Sequence, residues 1–353
     1  QEAVPQGPTI SVSDGAKAQN RTYQDLLKNP NDEQNFEQLA YSEIKKITIG
    51  GLQSDFLPAA MYDNISFSPD GTYVMVSHIK KPFSYLVTYR RFPFEKNIYT
   101  KAGAHVKLVN DVPLNEVQPK GFMATRKGKR EMSWRDDKPA TIVWVEALDG
   151  GDPENKVEYR DALYELDMPF TGEQNLLLKT KNRFNDIDWG NDNIAIAYDY
   201  WWNDRNTKTY LFDPSSASNA PKIITDRNYQ DQYNDPGDFI THKNEYGRSV
   251  LELENDNVFL MGDGYSDNGQ FPFIDAFNLK TLETNRIYQS KYTDKLENLR
   301  SAIDMKEGKV LVRIESQNEY PNYYFRNIYK ENALTAVTSF ENPYKSLANV
   351  HKE

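Results

Sequence analysis

Short runs of alternating apolar and polar residues recur along this chain in groups of four, and this repetition restricts the fold more than any other feature. Clusters of glycine, proline, asparagine and aspartate separate the runs, and such residues end strands and form turns. The groups cover residues 60–110, 130–180, 184–226, 237–290 and 296–340. Their period of roughly 45 to 55 residues is typical of the blades of a β-propeller.

The second run of each group is the most apolar and the richest in β-branched residues, as in "TYVMVSH" (72–78) and "ATIVWVEAL" (140–148). Such a run is typical of a strand buried on both faces, here between neighbouring blades. We therefore predict an all-β fold, a β-propeller of four-stranded antiparallel blades over residues 36–353. We expect about five blades, and "YSEIKKITIGG" (41–51) indicates the outer strands of one more, incomplete blade. A β-sandwich, or two of them, is the alternative architecture.

The N-terminal segment differs from the rest of the chain. Residues 1–35 are polar and irregular, and we expect a long loop or insertion with at most a helical turn at 22–28. The chain begins at Gln1. Either a leader has been removed or the sequence belongs to a longer one.

Composition argues against several classes of function. The 42 basic and 52 acidic residues give a net charge of -10, which argues against general affinity for nucleic acid or anionic membranes. No run of roughly 18 apolar residues exists, so we expect no membrane span. The chain has no cysteine, which removes disulfides, thiolate metal sites and cysteine nucleophiles.

One tight turn is chemically well specified. It consists of Ser68, Pro69, Asp70 and Gly71, between two alternating runs of the first group. Pro69 sets its own φ angle, Asp70 can hydrogen-bond the nearby backbone, and Gly71 tolerates a positive φ. The turn resembles the hairpin between the first and second strands in the propellers of peptidases and related periplasmic proteins. On this resemblance we expect a periplasmic or secreted protein.

Longer blocks resemble glutamyl endopeptidases of the prolyl oligopeptidase family. The blocks are "RTYQDLLK" (21–28), "HIKKPFSYLVTYRRFP" (78–93), "RKGKREMSWRDDKPATIVWVEALDGGD" (126–152), "RDALY" (160–164), "YDYWWNDRNTKTYLF" (198–212) and "YNDPGDF" (233–239). The resemblance runs from about residue 20 to the C-terminus. It implies a propeller of about seven blades and an α/β-hydrolase domain that carries serine, aspartate and histidine. The chain stops about where that domain would begin, so we expect the catalytic domain, absent from this chain, as its partner within one polypeptide.

Catalytic and metal motifs are missing from the sequence. Hydrolases of this kind present their serine in a G-x-S-x-G elbow, which does not occur here, and Ser266 in "GDGYSDNG" has the wrong spacing and reads as a turn. His78, His105, His242 and His351 lie far apart, without zinc-ligand spacing. Glycine patterns for nucleotides are also absent. We expect no catalytic residues, metal or cofactor in this chain, and no peptide hydrolysis by it alone.

Paired carboxylates leave a glycosidase as an alternative, because some propellers hydrolyse sugars with two carboxylates about 5 to 9 Å apart. The pairs are Asp186 with Asp188, Asp136 with Asp137, and Asp231 with Asp235. Each aspartate also fits a role in a turn or at the end of a strand.

Basic residues are the candidates for substrate contact. Cleavage after glutamate, which the resemblance implies, requires a cation that binds the side chain, and arginine does so with two hydrogen bonds. The densest basic cluster precedes the strand "EMSW" and should face the central channel; it consists of Arg126, Lys127, Lys129 and Arg130. Arg205, after two tryptophans, is a second candidate. The alternatives are a solvated basic loop for the cluster and an inter-blade Trp–Arg stack for Arg205.

These features predict the non-catalytic propeller of a serine peptidase, which gates and filters peptide substrates for its catalytic domain. The alternative is a free-standing propeller that acts as a binding or scaffold module. An incomplete ring would leave two blade faces without neighbours, so we expect an open arc whose bare faces are covered by residues 1–35, by a preceding piece of chain or by a second chain.

Overall fold

The computed structural model describes residues 23–216, 219–331 and 333–344. In these ranges the chain forms one α-helix, a short 3-10 helix at Tyr89–Arg91 and 26 strands. The strands form five antiparallel sheets of four or five strands and two small two-stranded sheets. This confirms the predicted all-β fold built from four-stranded antiparallel blades.

The helix, α1, spans Pro30–Ala40 and precedes the first sheet. The Asn29 side chain accepts a hydrogen bond from the Asp32 backbone N–H at 3.0 Å, and Pro30 occupies the first turn, where its missing N–H costs nothing. The helix therefore begins inside the segment that we predicted to be irregular as far as residue 35. Residues 23–28 are not helical, so the helical turn predicted at 22–28 is wrong for the residues that the structure describes. Residues 1–22 lie outside the described ranges.

The first blade contains five strands in sequential order. These are β1 (Ser42–Ile47), β2 (Gln53–Phe67), β3 (Tyr73–Ile79), β4 (Phe94–Thr100) and β5 (His105–Val112). β1 pairs with the first half of β2, where Ile47 lies opposite Gln53, and β3 pairs with the second half. The segment at 41–51, in which we expected strands of an additional blade, thus extends the sheet of the first blade.

The second and third blades are plain four-stranded meanders. The second comprises β6 (Arg130–Trp134), β7 (Thr141–Ala147), β8 (Asp161–Asp167) and β9 (Asn175–Thr180). The third comprises β10 (Arg183–Asn191), β11 (Ile194–Trp201), β12 (Asn206–Phe212) and β13 (Lys222–Asn228). Their bounds agree with the predicted groups.

The fourth blade carries two small hairpins. Its strands are β14 (Asp238–Phe239), β15 (Thr241–Lys243), β16 (Ser249–Leu251), β17 (Leu253–Glu254), β18 (Asn257–Gly262), β19 (Tyr265–Ser266), β20 (Gly269–Gln270), β21 (Phe273–Asn278) and β22 (Thr284–Gln289). β14 and β17 both pair with β18, so the first strand of this blade is interrupted by the β15–β16 hairpin. The β19–β20 hairpin contains Ser266, as the sequence predicted for a turn.

The fifth blade again has four strands. They are β23 (Leu296–Asp304), β24 (Lys309–Glu315), β25 (Asn322–Asn327) and β26 (Leu334–Ala336). Among the strands in the described ranges, no backbone pairing joins this sheet to the first one.

The blades pack face to face through their second strands. On β7, Ile142 and Trp144 belong to a cluster shared with the first blade, whereas Val143 and Val145 belong to a cluster shared with the third. All four side chains are at most 3% exposed. Because successive side chains of a strand point to opposite faces, a strand buried on both faces must be apolar throughout, as predicted for these runs.

The two ends of the central channel differ. Strands within a blade alternate in direction, so loops that precede first strands and loops between second and third strands share one end. At this end, which we call the long-loop end, the connections cover residues 80–93, 113–129, 148–160, 229–237 and 263–272. The other end, the short-turn end, carries connections such as 68–72, 135–140 and 192–193.

Candidate functional site

A cavity of about 390 Å³ opens where the first three blades meet, near the long-loop end. Charged side chains in its lining include Lys96 from β4, Arg126 from the 113–129 connection, Glu131 from β6 and Asp186 from β10. The cavity therefore lies beside the predicted basic cluster and combines cations with carboxylates.

A β-bulge in β6 shapes this cavity. The pairing of β6 with β7 shifts between Arg130 and Ser133, and Glu131 there has a φ angle of 52°. Positive φ is uncommon for residues other than glycine, and such strained positions concentrate at functional sites. Bulges also redirect side chains at the rims of sheets. Met132 and Ser133 of the bulged strand line the cavity.

Lys96 points into the interface between the first and second blades. It shares one face of β4 with Ile98, which is fully buried against the second blade. The Lys96 Nζ donates a hydrogen bond to the carbonyl oxygen of Met132 at 3.1 Å. Burial lowers the pKa of Lys96, and the positive charge of Arg126 lowers it further. Within the described ranges Lys96 forms no ion pair.

Arg126 is the second cation of the cavity. Its guanidinium donates to the carbonyl oxygen of Lys127 at 3.2 Å and to that of Lys129, and it lies 5.8 Å from the centre of the Phe94 ring. Burial lowers the pKa of Arg126, and the charge of Arg130 adds to this effect. The described part of the chain places no carboxylate in an ion pair with Arg126.

The predicted basic cluster divides into different environments. Arg130 is 7% exposed and forms an ion pair with the buried Asp161, which favours a structural role for this arginine. Lys129 lies with its Nζ 4.2 Å from the centre of the Trp144 ring, and burial lowers its pKa. Lys127 is exposed. Of the four residues, Arg126 lines the cavity.

Arg205 lies in the turn between β11 and β12 with a φ angle of 60°. Its guanidinium stacks on Trp202 of the same turn at 3.8 Å, and Trp202 also contacts Phe122 at 5.4 Å between ring centres. The inter-blade stack that we had weighed for Arg205 is formed instead by Arg160 over Trp201, at 4.0 Å. The structure therefore does not bring Arg205 to the lining of the cavity.

Other candidate residues have local partners. His78 lies 3.9 Å from Glu95, His105 lies 2.9 Å from the Asn97 side chain, and the His242 ring lies 3.0 Å from Glu252; His351 is outside the described ranges. The described residues contain no group of three His, Asp or Glu side chains suited to a metal ion. In the same residues, no helix is long and apolar enough to cross a bilayer.

At least one carboxylate of each aspartate pair accepts hydrogen bonds from nearby side chains. Asp188 accepts a hydrogen bond from Tyr198 at 2.7 Å, and burial raises the pKa of this carboxyl. Asp137 accepts two hydrogen bonds from the buried Arg135. Asp231 accepts from the side-chain amide of Asn234 at 2.8 Å. Asp137 and Asp231 lie in turns, as weighed for them, whereas Asp188 lies inside β10 and not at the end of a strand.

Lys96 was not among the residues singled out from the sequence. The signal for it was present, because "FEKNIYT" (94–100) alternates and places Lys96 on the same face as Phe94 and Ile98. A lysine at a core-facing strand position is unusual, since lysines are rarely buried unless paired. What the alternation did not show was that this face is turned toward the second blade.

Two curated plant proteins match almost the whole chain. The "Probable glutamyl endopeptidase, chloroplastic" of Oryza sativa subsp. japonica is 35% identical over 367 residues, which cover 99% of this chain and 39% of that protein. The protein of the same name from Arabidopsis thaliana is 34% identical over 369 residues, which cover 99% of this chain and 38% of that protein. The chain thus spans about two-fifths of the length of these relatives.

Two solved structures align with the chain at much lower sequence identity than the plant proteins. Prolyl oligopeptidase B from Galerina marginata, in its apo form, aligns over 77% of this chain and 35% of its own length, with a TM-score of 0.43 and 8% identity. The uncomplexed acylaminoacyl peptidase of Pyrococcus horikoshii aligns over 82% of this chain with a TM-score of 0.37. No protein-family model matches the chain.

Proposed function

We propose that this chain, the β-propeller portion of a glutamyl endopeptidase-like protein of the prolyl oligopeptidase family, gates and filters peptide substrates for a catalytic α/β-hydrolase domain. The observation that carries the proposal is 35% identity along 99% of the chain to a protein named glutamyl endopeptidase, of which the chain spans 39%. The proposal assigns the serine, aspartate and histidine of catalysis to that hydrolase domain in the same polypeptide, and it includes cleavage after glutamate by the complete protein.

The shape of the channel supports a filtering role. The β15–β16 hairpin crosses from the fourth blade toward the first two, where Asn244 donates to the Asp136 carbonyl oxygen at 2.8 Å and Arg248 donates to the Phe67 carbonyl oxygen at 2.7 Å. Both acceptors follow or end first strands and therefore lie at the short-turn end. In this proposal the hairpin restricts access from the short-turn end, and an extended peptide enters from the long-loop end, beside the Lys96–Arg126 cavity.

The experiment uses the full-length protein with substrates that share one glutamate site but differ in size. We expect short peptides to be cleaved after glutamate and a compactly folded protein with the same site to be spared until it is denatured. A serine-directed inhibitor should abolish the cleavage. Residues 1–353 alone should cleave neither substrate.

Two results would contradict the proposal. Full-length protein that cleaves no peptide would favour the alternative of a binding or scaffold module. Equal cleavage of the short peptide and the folded protein would mean that the protein is a peptidase whose propeller does not filter substrates.

A further inference from the structure

We infer that the cavity between the first three blades is a carboxylate-binding site for an acidic side chain of an extended peptide, with Lys96 as a specificity-determining residue beside Arg126. The inference deepens the proposed function and rests on it for the identity of the ligand as a peptide. The site itself is argued from charge, burial and shape.

The cations of this cavity differ from the deeply buried arginines of the chain in their partners. Each of the deeply buried arginines has a carboxylate partner, and the pairs are Arg130 with Asp161, Arg135 with Asp137, Arg183 with Asp149, and Arg326 with Glu297. Lys96 and Arg126 are partly buried and, like the partly buried Lys129 outside the cavity, neither forms an ion pair among the described residues. A cation withdrawn from water without a counter-charge costs free energy, and an arriving anion would remove that cost.

The carboxylates near the cavity limit what that anion can be. Asp63 and Glu131 act on Lys96 through their charge without pairing with it, and Asp186 lines the wall contributed by the third blade. These negative groups would repel a polyanion such as nucleic acid or polyphosphate. A single carboxylate placed between Lys96 and Arg126 is attracted by both cations and can remain apart from Asp186 on the wall that the third blade contributes.

The remaining lining fits an amino-acid side chain better than a free ion. Phe94, Met132 and Leu163 offer apolar surface, and Ser133 and Asn185 offer polar groups. Apolar walls with a few placed polar groups are typical of sites that orient an organic ligand. An aliphatic stem that ends in a carboxylate, as in glutamate, matches this combination.

The test measures binding rather than cleavage. Full-length protein, with its nucleophile blocked by a serine-directed inhibitor, is titrated by calorimetry with two short peptides, blocked at both ends, that differ only in a central glutamate or glutamine. We expect the glutamate peptide to bind about tenfold more tightly, and the Lys96→Met and Arg126→Met variants each to lose most of that preference. Lys107→Met removes an exposed lysine from β5 of the same blade and should retain it.

Equal binding of the two peptides by the wild type, or an unchanged preference in folded Lys96→Met, would overturn the inference. If Lys96→Met does not fold, Lys96→Arg and Lys96→Gln provide the comparison, and equal preference in these two would overturn it as well. Lys96-dependent binding of the glutamate peptide by a protein that cleaves no peptide would support the site while contradicting the proposed function. Cleavage after glutamate by a protein whose peptide preference does not depend on Lys96 would support the proposed function and contradict the site.

Discussion

At the scale of the residue, the partners of a cation separate structural from functional candidates. Arg130 and Arg126 are four positions apart in one basic cluster and look equivalent in the sequence. Arg130 binds Asp161, whose other oxygen accepts from Arg183 at 3.0 Å and which is fully buried. Arg126 binds backbone carbonyl oxygens and lines the cavity. The buried network ties the second blade to the third, since Asp161 begins β8 and Arg183 begins β10.

We predict that Arg130→Met lowers the free energy of unfolding by about 3 kcal/mol, because it removes one of the two arginines that compensate the buried charge of Asp161. Urea denaturation at neutral pH measures the change. Lys127→Met, an exposed substitution in the same cluster, should stay within about 0.5 kcal/mol of the wild type. Equal losses in both variants would show that the cluster, and not the ion pair, is responsible.

At the scale of the element, the turn at Ser68–Gly71 forms the structure that its residues predict. The Asp70 carboxylate accepts hydrogen bonds from the Ser68 hydroxyl at 2.6 Å and from the Thr72 backbone N–H at 2.9 Å, and Gly71 has a φ angle of 69°. The Asp70 backbone N–H donates to the Pro139 carbonyl oxygen at 3.2 Å, so the turn also joins the first blade to the second. Burial acts to raise the pKa of Asp70, but the hydrogen bonds from Ser68 and Thr72 outweigh it and lower the pKa below its ordinary value.

We predict that Asp70→Asn costs about 1 kcal/mol of stability at pH 7, because an amide replaces an acceptor-only group. A lowered pKa in the folded state means that the carboxylate stabilises the fold fully above its ordinary pKa and loses this effect as the pH falls. The difference between wild type and variant, measured by urea denaturation, should therefore shrink from pH 7 to pH 3.

Asp192→Asn, in the exposed turn between β10 and β11, is the control and should show little change at either pH. A gap between wild type and Asp70→Asn that widened on acidification would contradict the assignment of the stabilisation to the ionised carboxylate.

At the scale of the whole molecule, two hairpins contribute contacts beyond the four-stranded pattern of the five blades. The β1–β2 hairpin brings Ile44, Phe56 and Leu57 against Val74 and Val76, on the face of β3 opposite the second blade. This face is thereby partly covered from within the chain. The β15–β16 hairpin links the fourth blade to the first through Arg248 and Phe67.

We predict that Arg248→Ala loosens the contact between the fourth and first blades without unfolding any blade. Loss of the hydrogen bond to Phe67 should raise amide hydrogen exchange in residues 241–251 and at the end of β2, and leave the fifth blade unchanged. Mass spectrometry of peptic fragments resolves these segments. Lys243→Ala, whose lysine bonds Ser249 within the same hairpin at 2.9 Å, is the matched control. Unchanged exchange in Arg248→Ala would mean that this hydrogen bond does not hold the hairpin against the first blade.

The sequence by itself determined the blades, because strand periodicity, turn residues and the apolar second strands are local properties. The groups 130–180 and 184–226 were predicted from such signals, and the structure bounds these two blades at 130–180 and 183–228. The Asp70 turn follows from local signals as well. The start of α1 also has a local signal, an Asn-Pro pair followed by acidic residues. We nevertheless predicted that segment to be irregular.

The tertiary structure alone decided which neighbour each charged side chain meets. Arg126 and Arg130 differ in their partners because Asp161 lies thirty-one positions beyond Arg130, on another strand. Lys96 lines the cavity because its face of β4 is turned toward a bulge in the next blade. Contacts between blades depend on packing over long sequence separations, and a local pattern carries no information about which face a neighbour will cover.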